Sequence, residues 1–243
     1  MGARVNVVFE PSHEAQDRCL GKFSLHSFDM DGNPITADLN FDFFSLWEFS
    51  QDITSVYFDI LLLGQIVYST DRILNRLTFS DDSWCRNIDL LNVPVVNAAI
   101  FYQHSDELNT ALSYLTGDNW NITFVQMPQI AYAPEIEHHY HTDEYECVSL
   151  FSGGLDSLIG FVDKASTLQE GKKVLLVSHY DMGKECMDQE RIFQACAANN
   201  YFSGKYDSVK TRIGIKCCTK NRNVKYENTF RSRSFLFFAM GLY

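Results

Sequence analysis

At 243 residues the chain has room for one large or two modest domains, and 46% hydrophobic with 14% aromatic content supplies a core and argues against disorder. The net charge is −11, yet nine basic residues meet only two acidic ones between Ser203 and Arg233, which points to a local polyanion site or a solvated face rather than a duplex-coating surface. No apolar run approaches the roughly 20 residues of a membrane span, and the start "MGARVNVVFE" has no apolar secretory core, so a cytoplasmic protein without membrane contact is expected.

In chain order, "RVNVVF" (4–9) alternates as a strand and "GKFSLHSF" (21–28) reads as a second. The stretch from Phe41 to Arg76 carries apolar residues at helical spacing and predicts two helices with a break near Asp52 to Thr54. "NIDLLNVPVV" reads as a strand interrupted by Pro94. In "SDELNTALSYLTGD" Ser105 is the expected cap, Leu108, Leu112 and Leu115 form the stripe, and Gly117 is the stop. "NWNITFVQM" alternates again. These elements predict a small α+β domain over residues 1–143.

Residues 128–146 hold two prolines and three histidines with no usable period, and read as a linker. His138 and His139 are neighbours and share no face, so with His141 they fit exposed linker residues better than a metal site. The seven cysteines are scattered, with no C-x-x-C pair, and read as reduced thiols.

Beyond the linker the pattern changes. A strand at 147–151, a helix at about 157–168, the strand "KKVLLVSHY", the helix "DQERIFQACAAN" and the strand "SVKTRIGIKC" predict a parallel α/β sheet over 144–243. In the last strand Val209, Ile213 and Ile215 share one side, and Lys210, Arg212 and Lys216 the other. "RSRSFLFFAMGLY" closes the sequence as an apolar helix behind two arginines. Three strands are too few for a doubly wound sheet, so the native protein is expected to continue past Tyr243.

Between the strand at 147–151 and its helix lies Ser152-Gly153-Gly154-Leu155-Asp156-Ser157. A strand–turn–helix junction of this kind aims backbone amides at phosphate. It lacks the lysine of a Walker A loop. "SGGLDS" resembles instead the S-G-G-x-D-S signature of the PP-loop (N-type) ATP pyrophosphatases, at all five defining positions and in the right strand and helix context. Within that group the chain is most similar to the QueC-like 7-cyano-7-deazaguanine synthases, through "SLFSGGLDSLIGF", "VLLVSHYDMG" and "FRSRSFLFFAMG". The resemblance covers about the last hundred residues. The added N-terminal domain, with "TDRILNR", "DDSWCR" and "VPVV", resembles relatives encoded in bacterial anti-phage operons.

The resemblance implies a Rossmann-like PP-loop domain, of which these residues hold the N-terminal part. It implies that Ser152, Gly153, Gly154, Leu155, Asp156 and Ser157 hold ATP phosphates, with Asp156 acting through Mg²⁺. Val177, Ser178 and His179 would face adenine. Arg233 and Arg231 would serve the phosphates or a substrate carboxylate, and Asp156, Ser157 and Arg233 would be catalytic. Family chemistry adenylates the carboxylate of a deazapurine-like small molecule, releasing pyrophosphate, and a nitrogen nucleophile then displaces AMP. In a defence branch that nitrogen would be an amine of a protein partner. The family's four-cysteine zinc site has no counterpart here, so zinc is expected only with a cysteine cluster beyond residue 243. The alternatives are a non-catalytic nucleotide-binding subunit of a defence complex, a tRNA-modifying PP-loop enzyme, and nucleic-acid binding by the basic segment.

Overall fold

The structure, a computed structural model, describes residues 2–12, 20–130, 132–134, 140–219 and 225–243. Cys19, His138, His139, Lys220 and Arg222 lie outside them. The elements in order are β1 (Gly2–Pro11), β2 (Gly21–Phe28), β3 (Pro34–Phe41), α1 (Phe44–Ser50), α2 (Val56–Ile73), α3 (Arg76–Phe79), β4 (Asn87–Val95), α4 (Ala98–Gln103), α5 (Ser105–Thr116) and β5 (Asn119–Gln126). They are followed by β6 (Tyr145–Leu150), α6 (Leu155–Ser166), β7 (Lys173–Tyr180), α7 (Gly183–Ala197), β8 (Tyr206–Thr219) and α8 (Arg233–Leu242). The fold is α/β, with a mixed sheet in the order β5-β4-β1-β2-β3-β8-β7-β6. Among the described residues no helix is long and apolar enough to cross a membrane.

Local chemistry sets most element boundaries. The side chain of Ser55 accepts from Phe58 N at 3.2 Å and starts α2. Gly117, in the left-handed conformation at φ +72°, ends α5 as expected. Ser105 differs from its expected role. It is the first helical residue, and its Oγ donates to Tyr102 O because α4 runs almost directly into α5. Pro94 does not interrupt β4. The pairing of β4 with β1 stops at Leu91, so beyond it the strand needs no donor toward β1 and can carry a proline.

Strand β8 joins the two parts of the sheet. Its first half pairs in parallel with β7, from Tyr206 opposite Val174 to Arg212 opposite Tyr180. Its second half pairs antiparallel with β3, from Ile213 opposite Phe41 to Thr219 opposite Thr36. Strand β6 begins at Tyr145, and packing runs across this point between the two halves of the chain. Leu175, Val177, Val209, Leu236 and Met240 share one core with Val5, Leu25 and Leu63.

The β6–β8 part is covered on both faces. Phe161 and Ala165 of α6 and Cys196 of α7 pack on Val174 and Leu176. On the other face α8 lies over β6 and β7 and under α2. Gly64 of α2 lets the two helices approach, since a Cβ there would stand 2.8 Å from the Cβ of Ala239. The apolarity of α8 follows: Leu236, Phe237, Ala239 and Met240 are buried between sheet and α2, while Phe238 (59%) and Leu242 (54%) stay exposed.

Candidate functional site

The chain leaves the sheet after Phe151, whose N donates to Val177 O at 2.7 Å. Gly153 then turns at φ +82°, and Gly154 takes the N-cap position of α6 at φ −84°, ψ 167°. The helix starts two residues before its expected position, so Ser157 stands in its first turn. Leu158 N donates to Gly154 O, which leaves the amides of Leu155, Asp156 and Ser157 without intrahelical acceptors, and among the described residues no side chain caps them. These amides carry the positive end of the helix dipole.

Both serines of the turn sit at this end. Ser157 Oγ donates to Gly154 O at 2.8 Å. Ser152 Oγ accepts from Gly154 N at 3.3 Å and lies 3.3 Å from Ser157 Oγ. With the Ser157 proton committed, the Ser152 hydroxyl proton is the one available to an added oxygen. Asp156 and Leu155 are exposed on the first turn.

The two glycines differ in what requires them. A Cβ on Gly153 would stand 2.9 Å from Gln189 Cγ, and its φ disfavours any side chain. Gly154 has a φ open to any residue, and a Cβ there would meet only Ser152 Oγ at 3.4 Å. Folding requires glycine at 153; at 154 the N-cap position favours glycine without requiring it.

At the end of β7 the expected adenine-facing residues are buried. Val177 belongs to the core under α8, and Ser178 faces the α6–α7 side with its Oγ unpartnered among the described residues. His179 Nε2 donates to Ile213 O at 2.7 Å, and its ring is edge-on to Tyr68 and Phe237. Burial pushes the imidazole down to about 4, so it is neutral. Helices α2 and α8 cover Val177 and His179, while Ser178 lies on the opposite face of the strand.

The two arginines at the start of α8 part company. Arg233 Nη1 donates to Glu185 Oε1 at 2.9 Å, and its Nε is buried without a partner among the described residues. Glu185 also accepts from Asp181 N at 3.1 Å, which holds the turn after β7 against α7. Arg231 instead stacks 3.8 Å over the Trp84 ring and donates to Thr116 O, so these contacts tie it to the end of α5 rather than to the loop.

Between them Ser232 donates through N and Oγ to Asp71. Asp71 belongs to a buried network absent from the sequence reading. Arg86 Nη2 lies 2.5 Å from Asp71 and 2.6 Å from Asp118, and Arg76 pairs with Asp118 at 2.5 Å and Glu227 at 3.4 Å. Gln189, Asp181 and Arg72 were equally unforeseen. Gln189 Nε2 donates to His179 O at 2.9 Å and Ser152 O at 3.3 Å. Arg72 Nε is 3.5 Å from Asp181 Oδ2.

The basic segment is dispersed by the fold. Lys205 donates to Ala165 O and Lys210 pairs with Glu190, while Arg212, Lys216 and Lys225 are exposed. Among the described residues no group of His, Cys, Asp and Glu side chains could hold a metal ion by itself. Two large grooves lie away from the loop: one of about 540 Å³ lined by Lys22, Asp38 and Lys216, and an apolar one of about 410 Å³ lined by Phe49, Val148 and Met240.

Compared with protein-family models the chain matches none, and comparison with curated proteins and with solved structures finds no match either.

Proposed function

We propose that the 152–157 loop binds the polyphosphate of ATP and that the chain is a PP-loop ATP pyrophosphatase of the QueC-like kind. The observation that carries this reading is Gly154. It is a glycine that neither backbone conformation nor packing demands, set between uncapped helix amides and two serine hydroxyls at the C-terminal end of parallel strands. Absence of a side chain there serves close approach by a ligand oxygen.

In this reading the amides of Leu155, Asp156 and Ser157 and the Ser152 hydroxyl hold the terminal phosphates. Asp156, exposed and outside any metal-holding cluster among the described residues, suits a Mg²⁺ ion held mainly by phosphate oxygens and water, which would offset the charge of the leaving group. A carboxylate oxygen of a deazapurine-like acid attacks the α-phosphorus. The bond from that phosphorus to the bridging oxygen breaks, and pyrophosphate leaves. Ammonia, or an amine of a protein partner, then attacks the acyl carbon and displaces AMP.

The full chain incubated with Mg²⁺, ATP and 7-carboxy-7-deazaguanine is expected to yield AMP and pyrophosphate, resolved by chromatography. ADP and free phosphate would overturn the proposal. A second reading, a nucleotide-binding subunit without turnover, is favoured by the Arg233–Glu185 pair, which engages Arg233 within the protein. It predicts ATP binding with no AMP formed.

A further inference from the structure

We propose that Gln189 is the positioning residue of the loop, an inference that rests on reading 152–157 as the phosphate site. Gln189 lies on α7, is fully buried, and packs against the face of Gly153 where a Cβ would stand 2.9 Å from its Cγ. Its Nε2 reaches two carbonyl oxygens at once, Ser152 O and His179 O. Both neighbours are acceptors, so the amide orientation is fixed: a flipped side chain would set Oε1 against them. Oε1 is left without a partner among the described residues. A buried acceptor left unmatched is unfavourable, so it is not packing alone that sets this residue here.

The bond to Ser152 O has a directional consequence. A trans peptide is planar, with its C=O and N–H antiparallel. Drawing Ser152 O inward to Gln189 turns the N–H of Gly153 the opposite way, away from Gln189. The left-handed φ of Gly153 then returns the chain to the helix. The bond to His179 O ties this peptide to the end of β7, so the loop and that strand move as one. Gln189 touches no phosphate itself; it decides which way one donor points.

The test uses the full chain and MgATP as the probe. Gln189→Met keeps the volume and removes the donors, and is expected to weaken MgATP binding about 10-fold or more, the worth of one hydrogen bond. Gln189→Glu can donate only while its carboxyl is protonated, so its affinity is expected to fall with rising pH beyond the wild type's own dependence. The amide of Gly153, followed by nitrogen-15 NMR exchange, is expected to exchange freely in the wild type and to change rate in Gln189→Met. Wild-type binding with undiminished affinity in Gln189→Met overturns the inference, whatever the variant's stability. If the wild type itself fails to bind MgATP, the loop reading falls; an unchanged Gly153 exchange rate in Gln189→Met then overturns the orienting role as well.

Discussion

The carboxylate of Asp181 occupies the space that a side chain at position 214 would need: a Cβ on Gly214 would stand 2.2 Å from Asp181 Oδ1. Tyr68 donates to that carboxylate at 3.3 Å, and Arg72 of α2 lies beside it. Gly214 sits where β8 passes from β7 to β3, so the turn after β7, the sheet junction and α2 meet at one residue.

Gly214→Ala is therefore expected to destabilise the protein by about 1–3 kcal/mol, the usual range for overpacking. Because the clash is with Asp181, Asp181→Ala combined with Gly214→Ala should destabilise by less than the sum of the single changes. Chemical denaturation of the four proteins measures the cycle.

The two loop glycines should separate stability from binding. Gly153→Ala meets Gln189 and an unfavourable φ, and is expected to lower the unfolding midpoint by about 1–3 kcal/mol in free-energy terms. Gly154→Val replaces a favoured N-cap residue and should cost about 1 kcal/mol or less in unfolding, yet abolish MgATP binding in calorimetry. Unimpaired binding by Gly154→Val would remove the main support for a phosphate loop.

Acid sensitivity follows from two buried groups. His179 titrates near 4 when folded, because burial disfavours the imidazolium, against an ordinary value of 6.5. Between these values the unfolded chain binds a proton that the folded chain refuses. Stability thus falls as pH drops from about 6.5 to 4, by up to about 3 kcal/mol. Burial alone would raise the Glu227 carboxyl, but hydrogen bonds from the amides of Arg76 and Thr229 and the charge of Arg76 outweigh it and hold it at about 2. Its contribution is present above about 4.5 and is lost as pH falls toward 2. Urea denaturation from pH 7 to 4 should show the first loss, and His179→Gln should flatten it.

Removing Arg86 should be among the most damaging single changes. It is fully buried between Asp71 and Asp118 and also donates to Asp71 O at 3.1 Å. Arg86→Met would leave Asp71 and Asp118 to share Arg76 in a buried site, with a loss of about 3–5 kcal/mol. Arg86→Met joined to Asp118→Asn should recover part of it, as read by urea unfolding.

What could be read from the sequence was what repeats locally. Alternation identified β1, β2 and β5, and the run of strand, turn and helix after residue 144 appeared in its observed order. Strand β3 was passed over although Ile35, Ala37 and Leu39 alternate, because Pro34 and the polar residues between them resemble a turn. The glycine loop was legible because its residues are contiguous. Gln189 was not, since its partners Ser152 and His179 lie 37 and 10 residues away. The Asp71 network draws on residues up to 161 positions apart, and no spacing rule reaches that far. Arg231 and Arg233 looked alike in "FRSRSF", yet with a single residue between them they diverge to Trp84 and Glu185.

The sharing of β8 also orders events during synthesis. Strand β3 leaves the ribosome early, but its antiparallel neighbour begins at Ile213, and the face of Gly64 waits for Ala239. The chain through Ala239 must emerge before the first half can close its edge. Closure of the sheet depends on distant pairings, which slow folding and lengthen the time that apolar surface stays uncovered in the nascent chain.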